Sequence, residues 1–81
     1  MNKEIIKFYE TVSFNVKKIR LEKGYTQLDL ALEIGISSVA FYSNCENLRY
    51  DKHFNLEHLY NLSKVLEVDI CEFFKQEKIE N

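Results

Sequence analysis

The sequence predicts an all-α domain of five helices, on three observations. There is no proline and there are only two glycines in 81 residues, with leucine, isoleucine, lysine and glutamate abundant, a composition that favours helices joined by short links. Apolar residues recur every three or four positions over most of the chain. Capping residues and glycines stand where those periodic runs begin and end. Eighty-one residues make one small domain with a core of its own.

In the first run, Ile5, Phe8/Tyr9, Val12, Val16 and Ile19 mark an amphipathic helix from about residue 3 to Lys23. Gly24 ends it, and Lys17, Lys18, Arg20 and Lys23 occupy its last turns, where they favour the helix dipole. The helix is long for so small a domain, so residues 1–14 read as an N-terminal extension that packs on a partner chain, with Phe14 off the main stripe.

The stretch Thr26 to Glu46, TQLDLALEIGISSVAFYSNCE, organises the rest. Thr26 caps a second helix, from about Gln27 to Ile34, in which Leu28, Ala31 and Leu32 share a face. Gly35 breaks the run, and Ser37 caps a third helix of about 38–45 carrying Val39, Ala40, Phe41, Tyr42 and Cys45. Small Ala31 and permissive Gly35 let the two helices cross closely. Asn47 to Phe54 lacks periodicity and reads as a loop. Asn55 caps a fourth helix that buries Leu56, Leu59, Tyr60, Leu62, Val65 and Leu66, with Phe54 as a staple against Leu59 or Tyr60. Asp69-Ile70-Cys71-Glu72 is a capping box opening a short fifth helix through Phe73 and Phe74. Residues 75–81 read as a frayed tail.

Net charge is −2, yet its distribution is uneven. Residues 1–25 carry six Lys/Arg against three acids, whereas residues 55–81 carry six acids against three lysines. A molecule so polarised can turn its N-terminal half and the loop near Arg49 toward phosphates. No apolar run approaches the ~20 residues of a membrane span. The N-terminus lacks a secretory core, so a cytoplasmic location is expected.

Cys45 and Cys71 suggest free thiols rather than a disulfide framework. With His53 and His58 they match no common zinc spacing, because neither cysteine has a close second and the histidines sit five apart. No Ser–His–Asp or Cys–His grouping comes with a nucleophile elbow or glycine loop, and no phosphate-cradling motif occurs. The chain therefore reads as a non-enzyme without cofactor or metal. The tyrosines and phenylalanines sit mostly at core spacing rather than as base-stacking platforms.

At Arg20, Thr26-Gln27-Leu28-Asp29-Leu30-Ala31, Gly35-Ile36-Ser37, Phe41, Glu46 and Val65-Leu66-Glu67-Val68, the chain resembles the helix-turn-helix family of Cro and phage-repressor type, the XRE family. The resemblance covers about residues 15–74. It implies a lambda-repressor-like five-helix DNA-binding domain, acting as a small transcriptional regulator of repressor type, bound as a homodimer to double-stranded operator DNA. It also implies roles. Gln27, behind Thr26, touches phosphate; Ser37 caps the recognition helix; Arg20 and Glu46 form an ion pair tying the first helix to the end of the third. Arg49 and Lys52 follow that helix where backbone contacts are made.

Two departures stand out. The chain has one residue more than the family between the Gly-x-Ser turn and the Glu, and it lacks the family's glycine after that Glu, so Asn47 is expected to adopt the left-handed conformation instead. Counting from Gly35, Phe41 is buried and Ser38, Val39 and Ser43 face the groove, with Tyr42 reaching phosphate. Counting back from Glu46, Tyr42 and Cys45 are buried and Val39, Ala40 and Asn44 face it. The first register is favoured, because Ser37 then caps directly. Only Asn44 is a strong bidentate reader. A reading of a different class remains, an antitoxin or protein-interaction module on the same fold, favoured by the negative charge and sparse readers. The candidate dimer surfaces are the first half of the first helix, or the fifth helix with Phe73, Phe74 and Ile79.

Overall fold

The computed structural model describes residues 1–76, and these form four α-helices and two 3-10 turns, with no strand among them. The first helix, α1, spans Lys3–Glu22. Asn2 caps it by accepting from the Ile5 amide at 2.9 Å. Its far end closes in a left-handed turn at Gly24 (φ 82°), where the Tyr25 amide donates to the Arg20 carbonyl and the Gly24 amide to Leu21. Val12, Val16 and Ile19 enter the core, whereas Ile5, Phe8 and Phe14 stay exposed.

Helix α2 covers Gln27–Glu33, with Thr26 capping the Asp29 amide at 3.0 Å. Leu30, Ala31 and Ile34 are its buried residues. The expected face is corrected here: Leu28 and Leu32 point to solvent, because the chain turns its 30/31/34 side to the third and fourth helices. Gly35 (φ 81°) makes the same left-handed closure as Gly24, with Ile36 donating to the Ala31 carbonyl at 2.8 Å. Nothing lies within 4 Å of a Cβ built on Gly35, so the glycine serves the backbone angle and not a close helix crossing.

Helix α3 covers Val39–Asn47. Ser38, not Ser37, is its cap, accepting from the Phe41 amide at 3.1 Å. The closure at Gly35 drives Ile36 into the core, and Ser37 is left as an exposed link, so the additional residue is absorbed in the turn. Tyr42, Cys45 and Glu46 are consequently buried, and Phe41 only partly. Asn47 also departs from expectation. It is the last helical residue, its side-chain amide donating to the Ser43 carbonyl at 2.9 Å, and Leu48 takes the left-handed conformation (φ 55°). A 3-10 turn follows at Arg49–Asp51, in which Tyr50 and Asp51 also have positive φ.

Helix α4 covers Leu56–Leu66. Its cap is reciprocal: the His58 amide donates to Asn55 Oδ1 at 2.8 Å, and the Asn55 amide donates to His58 Nδ1 at 3.0 Å. Leu59, Leu62 and Leu66 are buried with Phe54. Leu56 and Tyr60, expected inside, are exposed, since their i, i+4 strip lies off the 59/62/66 stripe. The expected fifth helix is a 3-10 turn, Ile70–Phe74. Asp69 spends its carboxylate on the Cys71 amide at 2.8 Å, and Glu72 turns to Lys75 at 2.6 Å, so no capping box forms. Phe73 anchors this turn in the core, and the buried Asn15 amide donates to the carbonyls of Phe73 (2.9 Å) and Lys75 (2.7 Å). Of the expected frayed tail, residues 77–81, with Ile79, lie outside the described residues.

Helix α4 closes on Glu67 at φ 57°, with the Val68 amide donating to the Ser63 carbonyl. A side chain in that conformation costs about 1 kcal/mol relative to glycine, and a carboxylate at a helix C-terminus is unfavourable as well. Glu67→Gly is therefore expected to raise the unfolding free energy by about 1 kcal/mol in urea titrations.

Burial, the leading cause, holds the His58 imidazole below its ordinary pKa. The folded state thus prefers the neutral ring, whose Nδ1 accepts the capping bond. Stability is expected to be full above the unfolded histidine value and to decline as pH falls below it, since the unfolded chain then takes up the proton first. In Tm measurements, His58→Gln, which keeps an acceptor, should flatten that decline.

Candidate nucleic-acid interface

The site is built outward from a buried ion pair. Arg20, on the inner face of α1, and Glu46, near the end of α3, are both buried and meet in a two-pronged contact: Nε donates to Oε2 and Nη2 to Oε1, each at 3.0 Å. Arg20 Nη1 also donates to the Tyr25 carbonyl at 2.9 Å, and thereby fixes the link into α2. Glu46 takes two more donors, the Tyr42 hydroxyl at 2.8 Å and the Gln27 side-chain amide at 3.1 Å. No buried side-chain polar atom among the described residues lacks a partner. A planar guanidinium matches a carboxylate in this way, and a lysine ammonium does not.

The electrostatic consequences follow from that packing. The hydrogen bond to Glu46 raises the Arg20 pKa further, against the opposing effect of burial. Burial first, and then the Glu46 carboxylate, push the Tyr42 phenol well above its usual range. Burial also moves the Cys45 thiol up to about 11. A further tie, unseen in the sequence, joins α1 to α3: Ser13, buried on the α1 stripe, donates to the Cys45 carbonyl at 3.1 Å. Polar Ser13 and Asn15 within an apolar stripe were the available signal for these two clamps.

With Tyr42, Cys45 and Glu46 turned inward, α3 presents Val39, Ala40, Ser43, Asn44 and Asn47 outward, the i, i+1, i+4, i+5, i+8 strip of a helix. Val39 and Ala40 are exposed, and Ser43 and Asn44 half-buried. The helix therefore follows the second of the two registers. Tyr42 leaves the candidate set: it is wholly buried, and its hydroxyl is committed to Glu46. Ser38 lies at the helix start with its hydroxyl capping Phe41, and Ser37 is exposed just before it. Thr26 is exposed and Gln27 half-buried, its amide turned to Glu46. Arg49 and Lys52 are exposed beyond the end of α3. The structure thus brings the outward α3 residues into one strip, with two cations past its far end.

Four helices among the described residues, the second and third joined through a glycine turn and the third locked to the first by a buried Arg–Glu pair, define the class of helix-turn-helix proteins. The family model described as Helix-turn-helix matches residues 16–73, most of the chain. The protein belongs to this family, of Cro/repressor (XRE) type, whose members are DNA-binding transcription regulators. No curated protein and no solved structure matches the chain. No helix among the described residues is long and apolar enough to cross a membrane.

Removing one partner of the pair leaves the other buried and uncompensated. Arg20→Ala or Glu46→Ala is expected to cost about 3–5 kcal/mol in chemical denaturation. Thiol titration of the native protein should label one cysteine quickly, the exposed Cys71, and Cys45 only on unfolding.

Proposed function

We propose that this protein is a sequence-specific double-stranded DNA-binding regulator that represses by occupying an operator and obstructing polymerase. In this reading α3 lies in the major groove. Val39 and Ala40 meet thymine methyl groups, Asn44 reads adenine, and Ser38 and Ser43 serve as secondary polar contacts. Arg49 and Lys52 neutralise flanking phosphates, with Gln27 and Thr26 at the opposite border of the motif. The observation that supports this reading best is that Val39 and Ala40 on the outward strip of α3 are exposed, with Ser43 and Asn44 half-buried beside them, while the inner face of the helix is held by the Arg20–Glu46 pair. A reader set with one strong hydrogen-bonding residue places much of the specificity on DNA shape. Such folds act as homodimers on paired half-sites about one helical turn apart.

A second reading has a specific observation behind it. Between residues 26 and 48 the exposed charges are two acids, Asp29 and Glu33, with no lysine or arginine, and Leu28 and Leu32 are exposed there. An antitoxin or other protein-interaction module would carry such a surface.

Duplex binding separates the two. Fluorescence anisotropy across a salt series is expected to show affinity falling linearly with log salt, and Arg49→Ala with Lys52→Ala to lower that slope by about 2. Asn44→Ala should relax preference at one base position, worth about 1–3 kcal/mol there. No duplex binding at low salt, or affinity unchanged by both substitutions, would refute groove docking.

A further inference from the structure

We propose that the aromatic groove between α1, the start of α4 and the closing 3-10 turn is the surface on which a second copy of this chain docks. The sequence offers the first half of α1 and the Phe73–Phe74 segment as separate candidate surfaces. In the fold they are one. Phe8 stacks on Phe74 with ring centroids 5.9 Å apart and planes inclined by 14°. These two rings, with Val12, Phe54, Leu56 and Leu59 and with Tyr9, His53 and Asn55 at its edge, line a groove of about 290 Å³ that no Asp, Glu, Lys or Arg among the described residues lines.

The patch is both concave and convex, and that points to a second copy. Leu56 forms one wall of the groove and is 77% exposed, and Tyr60, one turn later on the same strip of α4, is 56% exposed. A two-fold axis beside Leu56 would seat each copy's leucine in the other's groove, the self-complementary arrangement a symmetric dimer requires. The area is adequate. Phe8 (49% exposed) and Ile5 (43%) extend the patch along α1. Together the four side chains present on the order of 500 Å² of apolar surface per copy, the upper range for an unpartnered patch on a monomer. A stable interface buries roughly 800 Å² per partner, so the docked copies would draw the remainder from the polar rim around the patch. None of the outward residues of α3 lines the groove.

The proposal deepens the reading of paired half-sites and is measured without DNA, so its failure is distinct from a failure to bind duplex. The test is sedimentation equilibrium of the full chain from low to high micromolar concentration, with Leu56→Glu, Tyr60→Glu and, on the exposed leucine strip of α2, Leu32→Glu. Leu56 is the first residue of α4, where a carboxylate favours the helix dipole, and a glutamate at position 60 stands four residues before Lys64, so both variants are expected to fold, checked by circular dichroism. The wild type is expected to dimerise, Leu56→Glu and Tyr60→Glu each to raise the dissociation constant at least about 100-fold, and Leu32→Glu to leave it unchanged. A wild type that stays monomeric at high micromolar concentration, a dimer that survives both α4 variants, or one broken equally by Leu32→Glu would overturn the assignment. Capture of a different protein on this groove by a monomeric wild type would overturn it as well.

Discussion

Three segments of the chain depend on one carboxylate. Glu46 accepts from Arg20 on α1, from Gln27 at the start of α2 and from Tyr42 one turn earlier on α3. Taking two charges out of water costs several kcal/mol per ion, and their attraction offsets this only when every remaining donor and acceptor is used. Here the geometry meets that condition, so the pair's main product is position. It holds α3 against α1 and α2 in one arrangement, where an apolar contact of similar volume would allow sliding. Ser13 on the Cys45 carbonyl and Asn15 on the Phe73 and Lys75 carbonyls act likewise, and each ends one degree of freedom of α1 against its neighbours.

That constraint explains why the outward strip of α3 has the character it does. The residues competent for charge are drawn inward to the lock, and what remains outside is small, polar or aliphatic: Ser38, Val39, Ala40, Ser43 and Asn44. Two exposed cations stand past the end of the helix, at Arg49 and Lys52, on a segment where Leu48, Tyr50 and Asp51 all hold positive φ. Backbone strain of about 1–2 kcal/mol per such residue is sustained there. The short link from α3 to α4 thereby turns sharply enough to keep Phe54 in the core and both cations in solvent.

Much of this was legible in the sequence. Arg20, the Thr26-Gln27 start, the Gly35 turn and Glu46 stand in an order that identifies the motif and its lock before any coordinates. Asn55 and Thr26 cap where expected, because caps are local chemistry. The register of α3 was not decidable in this way. One additional residue between Gly35 and Glu46 can be absorbed in the turn or in the helix, and both choices bury an aromatic residue, Phe41 or Tyr42. Tertiary facts separate them, the burial of Ile36 beyond the Gly35 turn and the bond from the Tyr42 hydroxyl to Glu46, although the i, i+4 spacing of Tyr42 and Glu46 was a visible hint. The last helix failed for a related reason. Five residues cannot offset the cost of helix nucleation, so the Phe73 anchor and the Asn15 clamp set a 3-10 turn instead. On α4, an apolar stripe broader than the contact it makes left Leu56 and Tyr60 outside.

A lock on the inner side of α3 and a bare strip on its outer side amount to a claim about where duplex touches this protein. Amide chemical-shift mapping on a short duplex recovered by random-oligonucleotide selection tests it most directly. The largest shifts are expected at residues 38–44 and 49–52, with the Arg20 guanidinium signal unmoved because the lock stays closed. Shifts confined to the 56–60 strip and the start of α1, or an Arg20 signal that collapses as duplex is added, would contradict it.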